Sequence, residues 1–292
     1  MLRSWQGLLA LFAATFLLVP VRAWAAGTLR VDFIDVGQGD AALVTSPSGK
    51  TLLIDGGPHA AGRELVAFLR SRTHGPVDLI LLSHRHEDHL GGLAAVVREI
   101  GARLFLDAPA AHPGPGYAAL MQTLESRAVP VRDATPGRTI DLGGGAVMTL
   151  IGPPVPPIVG SRSDVNSNSV VARLTYGTFS VLFTGDAEVP TEAWLLRSGR
   201  DLHANVLKVA HHGSGHASSA RFLAAVGPRI AVVSVGAGNV YGHPAATTLV
   251  RLARSGAEIY RTDMDGTVAI ETNGVTVKVR TTAHHRELAG AR

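Results

Sequence analysis

Cysteine is absent from the 292 residues of this sequence. This absence excludes disulfide bonds, cysteine nucleophiles and cysteine-ligated metal sites, so the fold depends on its core for stability. Charged residues are also few, at 17% against 46% hydrophobic residues, which indicates that the chain can bury a sizeable core. The length alone allows one large domain or two ordinary ones.

Beyond its N-terminus, the sequence lacks the roughly 18 consecutive apolar residues that a membrane-spanning helix requires. Residues 1–25 combine a basic Arg3 with an apolar run from Leu8 to Val19 and small residues up to Ala25. This order predicts a secretory signal peptide cleaved after Ala25, with an uncleaved membrane anchor as the alternative. We therefore expect a secreted or periplasmic protein that has no stable membrane association after cleavage.

A strong charge of either sign is missing as well. The formal net charge is +4, and removing Arg3 and Arg22 with the signal peptide would reduce it to +2. Such a weak bias permits an anionic substrate but does not by itself indicate nucleic-acid binding. Lysine is scarce, and only positions 50, 208 and 278 carry it.

Short runs rich in valine and isoleucine alternate with turn residues along the rest of the chain, with helical patterns between them. No fixed-period repeat and no interdomain linker interrupts them. The pattern predicts one domain over residues 26–282, with two packed sheets and helices outside them. Residues 283–292 are expected to form a flexible C-terminal tail.

The segment "LSHRHEDHLGG" concentrates histidines and acids directly after the apolar strand "VDLILL". Imidazole nitrogens and carboxylate oxygens are both good zinc ligands. His84 and His86 face the same side of an extended turn, whereas Asp88 and His89 can approach from another side. This split predicts two metal ions rather than one. A solvated charged turn, the alternative, would not account for three histidines at a strand end.

Further candidates follow other apolar strands. Asp186 in "VLFTGDAE" could bridge two metals, although a lone aspartate at a strand end is more often a helix cap. In "VLKVAHHGS", one of His211 and His212 could ligate while the other contacts substrate or supports a ligand. Asp55 in "TLLIDGG" is a candidate for orienting a ligating imidazole. His243 in "NVYGHP", taken alone, is typical of a surface or capping histidine.

The order of these motifs resembles a known family. The segments "FIDVGQGDAALV", "LLIDGG", "LSHRHEDHLGG", "NSNSVV", "LFTGDAE", "LKVAHHGS" and "VYGHP" are similar to the metallo-β-lactamase superfamily, and more narrowly to the extracytoplasmic domain of ComEC-like competence proteins and stand-alone relatives. The resemblance runs from about Leu29 to about Val279. It implies an α+β fold, a four-layer αββα sandwich with the metal site at the edge between the two sheets.

The resemblance also implies roles for individual residues. The implied metal ligands are His84, His86, Asp88, His89, Asp186 and one of the pair His211 and His212. Of this pair, His211 is favoured. Gln38 and Asp40 of "DVGQGD" are expected to brace the site rather than react. The implied cofactors are two divalent metal ions, Zn²⁺ or Mn²⁺.

One segment departs from the wider superfamily, which usually has a histidine between the first motif and the bridging aspartate. Here "DVNSNSVV" offers Asn166 and Asn168 instead, and asparagine is a poor zinc ligand whose amide oxygen suits harder ions such as Mn²⁺. We expect Asn168 to support the site and one metal position to be weak or filled only with substrate. His112, in a proline-rich loop, is a less favoured substitute. Retention of His86, which ComEC-like proteins often lack, favours a complete dinuclear site.

These residues predict metal-assisted hydrolysis of a phosphodiester substrate, most plausibly DNA. Asp88 or Asp186 would orient the attacking water or accept its proton. The groups expected to hold phosphate oxygens or protonate the leaving oxygen are Lys208, Ser214, Ser218 and His243. A solvent-facing lysine and helix-capping serines are the structural alternatives. The same scaffold could instead hydrolyse a lactone, thioester or phosphocholine ester, or bind metal without catalysis.

Overall fold

The computed structural model describes residues 27–108 and 114–283. The predicted signal peptide, the loop segment 109–113 that contains His112, and the predicted tail from residue 284 lie outside these ranges. Within them, no helix is both long enough and apolar enough to cross a bilayer.

The described strands form two mixed sheets. The eight-stranded sheet has the order β15-β14-β1-β2-β3-β4-β5-β6, and the seven-stranded sheet has the order β13-β12-β11-β10-β9-β8-β7. In chain order the strands are β1 Leu29–Phe33, β2 Ala42–Thr45, β3 Thr51–Ile54, β4 Leu79–Leu81, β5 Phe105–Asp107, β6 Val131–Asp133, β7 Thr139–Gly143, β8 Ala146–Leu150, β9 Ala172–Tyr176, β10 Phe179–Phe183, β11 Val206–Lys208, β12 Ile230–Val233, β13 Glu258–Arg261, β14 Val268–Thr272 and β15 Val277–Thr281.

Helices cover the outer face of each sheet. In chain order they are α1 Gly62–Arg72, α2 Glu87–Leu90, α3 Leu93–Glu99, α4 Pro115–Ser126, α5 Asp164–Ser167, α6 Val189–Arg197, α7 Ala220–Val226, α8 Ala246–Arg254 and α9 Thr262–Asp265. Leucines on α1 and α4 pack with valines on α3 in one outer core, and apolar side chains of α6, α7 and α8 form the other.

A third apolar cluster fills the space between the sheets, where Phe33 of β1 lies against Phe183 of β10 with ring centroids 5.9 Å apart. Three cores between four layers are the signature of sheets covered by helices on their outer faces. The predicted αββα sandwich is therefore confirmed.

Parallel pairing brings the chemistry-bearing strand ends together. Strands β3 to β6 pair in parallel, as do β10 to β13. Within each parallel run the carboxyl ends therefore lie at one edge of the sheet. The segments after β3 and β4 in one sheet, and after β10 and β11 in the other, carry the predicted metal ligands and Asp55, whereas Asp40 follows β1 and His243 follows β12.

A glycine pair, Gly91 and Gly92, separates α2 from α3 after the histidine motif. A Cβ atom at Gly92 would lie 2.2 Å from the carbonyl oxygen of Gly56, so only glycine allows this close approach to the loop after β3. The division lets α2 turn its histidine and aspartate toward the sheet edge. Strand β6 and the short helix α5 were not predicted.

Candidate metal centre

The histidine motif occupies the turn after β4 and the first residues of α2. His84 and His89 are fully buried, and their ring centroids lie 4.1 Å apart. His86 lies beside them, with its Nδ1 atom 3.1 Å from Nε2 of His84. Asp88 is the more accessible member, since 32% of its side chain is exposed. The turn therefore presents three imidazoles and one carboxylate at a single edge.

Two residues from the opposite sheet complete the cluster. Asp186 follows β10, and its carboxylate lies 3.2 Å from His89 Nε2 and 3.7 Å from His84 Nε2. His212 follows β11, and its Nε2 atom lies 3.1 Å from the Asp88 carboxylate and 3.7 Å from that of Asp186. Residues from both sheets thus converge at the edge between them.

These six residues form two groups of three that share no member, which we call the ligand groups: His84, His86 and Asp186, and Asp88, His89 and His212. Two further groups overlap them, namely Asp40, Asp186 and His212, and Asp40, Asp55 and His89. In each group, one ligand atom from every member lies within 4.8 Å of the others. Each ligand group therefore has the donor types and spacing that suit one divalent ion.

The buried polar atoms at the centre fit a cation. Nε2 of His89 and Oδ1 of Asp186 are both buried, and neither has a hydrogen-bond partner within the described residues, although they lie only 3.2 Å apart. Buried polar atoms are normally hydrogen-bonded, and an unpaired one costs free energy. A bound metal ion would satisfy both lone pairs, so the donor set agrees with metal binding.

Asp55 holds one of these imidazoles in place. Its Oδ2 atom accepts hydrogen bonds from His89 Nδ1 at 2.9 Å and from Ser83 Oγ at 2.7 Å, while Oδ1 accepts from the Ser83 backbone N–H. With the proton of His89 fixed on Nδ1, Nε2 is unprotonated and its lone pair is available to a metal ion beside Asp186. The geometry agrees with the predicted orienting role of Asp55.

Asp40 lies beneath the cluster on the other side. It forms an ion pair with Lys208 and lies 3.2 Å from Nδ1 of His212. A Cβ atom at Gly39 would lie 2.3 Å from the Asp88 carbonyl oxygen, which also accepts the Asp40 backbone N–H at 3.1 Å. The loop "DVGQGD" therefore packs directly against α2, as a bracing element would.

Lys208 was predicted to contact phosphate or to face solvent, and the structure places it in neither environment. Its side chain is buried, pairs with Asp40 and donates a hydrogen bond to the Val209 carbonyl oxygen. The geometry therefore supports a structural role for this lysine.

The histidine pair after β11 separates into two environments because its backbone reverses direction. His211 and His212 have φ values of 50° and 51°, the left-handed region that non-glycine residues adopt only at a cost. His212 points into the cluster. His211 instead places its Nδ1 atom 3.2 Å from the buried Glu188 carboxylate, and its Nε2 atom is 3.8 Å from Asp186. The geometry favours His212 as the ligand, contrary to the sequence-based preference for His211.

Negative charge dominates the electrostatics of the cluster. Burial opposes protonation of His212, but the carboxylates of Asp186 and Asp40 outweigh it and raise its pKa to about 10. Burial also opposes protonation of His89, yet Asp186 and other nearby carboxylates raise its pKa well above the ordinary value. Burial and the charge on His89 hold the pKa of His84 well below its usual range. The carboxylates thus create a potential that attracts cations.

A cavity of about 540 Å³ opens at His211, the neighbour of His212 in the chain, and none of the six cluster residues belongs to its lining. Its lining residues include Arg162, His211, Ser214, His216 and His243, and they contain no carboxylate within the described chain. The His243 ring lies 5.6 Å from that of His211. Burial together with the charges of His211 and His212 lowers the pKa of His243 to about 4.

Three other predicted residues stand apart from the cluster. Asn168 fastens the loop before α5 to the end of that helix. Its side chain accepts a hydrogen bond from Ile158 N–H and donates one to the Ile158 carbonyl oxygen. Asn166 is the asparagine closer to the site, with Nδ2 3.5 Å from His211 Nε2. Ser218 donates its backbone N–H to Glu192, whereas Ser219 caps α7.

Sequence reasoning missed Ser83, Glu188 and Arg162. Glu188 is buried and pairs with both His211 and Arg162, at 3.2 Å and 3.4 Å. An acid two residues after a strand-end aspartate was a signal for such a role, because alternate residues in extended chain share a face. No sequence signal marked Arg162, which approaches from an irregular loop.

Comparison with known protein families finds one family model, and its match includes every residue of the metal cluster. The family model described as the metallo-beta-lactamase superfamily matches residues 34–237. The chain is 26% identical to ComE operon protein 3 of Bacillus subtilis (strain 168), and the match covers 82% of this chain and 32% of the relative. The chain is 30% identical to competence protein ComA of Neisseria gonorrhoeae, and the match covers 88% of this chain and 37% of the relative. The chain thus spans about a third of each relative.

A solved structure has a similar fold. The metallo-beta-lactamase fold protein YhfI from Bacillus subtilis superposes with a TM-score of 0.54, covering 84% of this chain and 100% of YhfI, at 15% sequence identity. At this identity the likeness concerns the fold alone.

Proposed function

Since the chain belongs to the metallo-β-lactamase superfamily, we propose that it is a metal-dependent phosphodiesterase that cleaves DNA. The observation that carries the proposal is the pair of ligand groups, together with a cavity that is lined by Arg162 and by His211, the neighbour of His212 in the chain, and by no carboxylate within the described residues. Such a lining suits an anionic substrate better than a neutral lactone. The partial match to competence proteins supports a nucleic-acid substrate in particular.

Charge balance supports two ions rather than one. Metal-ligating histidines are neutral. The ionised carboxylates of Asp40, Asp55, Asp88 and Asp186 together with the Lys208 ammonium then leave three uncompensated negative charges. One divalent ion would leave the centre negative and would repel a phosphodiester. Two would make it slightly positive. We propose Zn²⁺ or Mn²⁺ in both groups.

Bound divalent ions would supply Lewis-acid activation of the attacking water and neutralise charge on the phosphate. The protein supplies orientation. Asp88 belongs to one ligand group, 32% of its side chain is exposed, and bound cations would favour its ionised form. The ionised and partly exposed Asp88 carboxylate is therefore placed to accept a hydrogen bond from the attacking water. Asp186, fully enclosed, serves as a ligand only.

The cavity side chains would hold the substrate. Arg162 can donate to phosphate oxygens in the bidentate geometry that guanidinium favours. His243 has a pKa of about 4, so it is neutral at physiological pH and acts through hydrogen bonding rather than charge. Ser214 lines the same wall.

A substrate panel with metal removal tests the proposal. Mature protein loaded with Zn²⁺ or Mn²⁺ is expected to hydrolyse bis-(p-nitrophenyl) phosphate and DNA, and chelation is expected to abolish turnover because the site has no other source of Lewis acidity. Metal content and turnover are measured together before chelation, after it and after re-addition of each metal.

The same panel separates the other functions of this site. Hydrolysis of nitrocefin, a lactone, a thioester or a phosphocholine ester in preference to phosphodiesters would contradict the proposed substrate class. Two bound ions per chain without turnover of any ester would indicate a metal-binding module.

We also propose that the protein acts outside the cytoplasm, from the signal-like pattern of residues 1–25. Expression of the full chain in a bacterial host is expected to yield an exported form whose measured mass corresponds to a chain that begins at Ala26. Substitution Ala25→Asp is expected to block processing, since cleavage sites require small residues at this position. A mass that corresponds to the uncleaved chain from Met1, in both the unsubstituted protein and the Ala25→Asp variant, would contradict this prediction.

A further inference from the structure

An aromatic side chain, Tyr241, lies at the outer rim of the cavity that Arg162 and His211 line. Tyr241 belongs to the turn between β12 and α8 and lines the cavity, yet 67% of the residue is exposed. Its ring lies nearly parallel to that of His243, with 22° between the planes and 6.0 Å between centroids. The outer part of this ring is therefore accessible to a ligand that enters the cavity.

The turn that carries this ring is held rigid by one side chain. Asn239 accepts hydrogen bonds at Oδ1 from the backbone N–H groups of Tyr241 and His243, each at 3.1 Å. Its Nδ2 group donates to the carbonyl oxygens of His243 at 2.7 Å and Gly236 at 3.0 Å. The backbone that carries the exposed ring is therefore held in place before any ligand arrives, which lowers the entropic cost of ordering the turn on binding.

A series of neighbouring rings connects Tyr241 with the metal centre. Successive ring centroids are 5.3 Å apart from His89 to His212, 6.1 Å from His212 to His211, 5.6 Å from His211 to His243 and 6.0 Å from His243 to Tyr241. The last three of these residues, His211, His243 and Tyr241, line the cavity. A ligand that lies along the cavity would therefore meet the ring of Tyr241 at its rim.

From this geometry we infer that Tyr241 and His243 form a stacking subsite for one base of single-stranded DNA, on the same strand as the phosphate bound at the metal centre. Arg162 lines the same cavity and supplies the cation that a flanking phosphate needs. Base–aromatic stacking requires a free base face, and in a duplex both faces are already stacked. The inference rests on the proposed phosphodiesterase function and narrows its substrate to unpaired nucleotides.

Binding tests the subsite separately from catalysis. The probes are a labelled phosphorothioate-linked oligothymidylate, which resists hydrolysis, and a matched oligomer whose bases are all replaced by abasic tetrahydrofuran. By fluorescence anisotropy, Tyr241→Ala is expected to raise the Kd for oligothymidylate by roughly 5- to 150-fold, the usual range for loss of one stacked base. It is expected to leave the Kd for the abasic oligomer unchanged, and Tyr241→Trp is expected to retain tight binding.

The neighbouring Val240 provides a matched control. It is 92% exposed in the same turn, and Val240→Ala is expected to change neither Kd nor the unfolding midpoint. On phosphodiester-linked oligomers, kcat/KM is expected to fall with Tyr241→Ala by the same factor as binding.

The possible outcomes distinguish the two proposals. Cleavage of DNA with equal Kd values for Tyr241→Ala and Val240→Ala would overturn the stacking subsite and leave the phosphodiesterase in place. Equal affinity of the unsubstituted protein for both oligomers would overturn the subsite as well. Tyrosine-dependent preference for oligothymidylate without cleavage of any phosphodiester would support the subsite and overturn the proposed function.

Discussion

Replacing Asp186 with asparagine is expected to remove bound metal and to lower kcat/KM for phosphodiesters by roughly 10³-fold or more. Asp186 is the residue that faces both ligand groups, because one carboxylate oxygen lies 3.2 Å from His89 and the other lies 3.7 Å from both His84 and His212. Asparagine has the same shape but no charge and is a poor ligand for zinc. Lewis-acid stabilisation of the transition state is worth several kcal/mol, and each 1.36 kcal/mol is a factor of ten in rate.

Metal content by inductively coupled plasma mass spectrometry and kcat/KM on the same preparation measure this effect. Asp265→Asn is the matched control, since Asp265 is also buried and accepts its hydrogen bond from the Arg261 backbone, outside both ligand groups. The control is expected to keep full metal content and activity. Circular dichroism shows whether each variant is folded. A folded Asp186→Asn protein with two ions and unchanged kcat/KM would contradict the assignment of Asp186 as a shared ligand.

The position of the site was predictable because its residues follow apolar strands. Asp55, Asp186 and the histidine pair each come directly after a run of valines, leucines or phenylalanines, and such runs indicate buried strands. Strands buried on both faces belong to sheets covered by helices, and the carboxyl ends of parallel strands meet at one edge. Pattern and motif order were therefore sufficient to predict both the layers and the residues that meet between them.

Side-chain direction was not predictable in the same way. His211 and His212 are adjacent and chemically identical, and only the left-handed backbone at both residues decides that His212 faces the cluster and His211 faces Glu188. Arg162 reaches the cavity from an irregular loop with no periodic pattern. Both features depend on tertiary contacts rather than on local sequence.

The partner of Lys208 was hidden for the same reason, since Asp40 lies 168 positions earlier in the chain. Strand β11 looked like a place for a solvent-facing or phosphate-binding lysine. The fold instead encloses the ammonium beside a carboxylate that burial would otherwise keep neutral. Burial opposes ionisation of Asp40, but the charges of Lys208 and His212 outweigh it and lower its pKa below the usual value.

Substitution Lys208→Met is accordingly expected to lower the free energy of unfolding by about 3–5 kcal/mol, the usual cost of removing one member of a buried ion pair. The remaining Asp40 carboxylate would be buried without its main counter-charge. Urea unfolding of the metal-free protein measures the loss without a contribution from bound ions. Lys278→Met is the matched control, because Lys278 is exposed on β15, and it is expected to change stability by no more than about 0.5 kcal/mol.

A second substitution identifies the ion pair as the cause. In the Lys208→Met background, Asp40→Asn is expected to restore part of the lost stability, because it removes the charge that was left buried and keeps the side-chain volume. This double variant also keeps the test decisive if Lys208→Met alone does not fold. Equal unfolding midpoints for Lys208→Met and Lys278→Met would show that the pair with Asp40 contributes nothing, and the bracing role of the "DVGQGD" loop beneath the metal centre would then need another source.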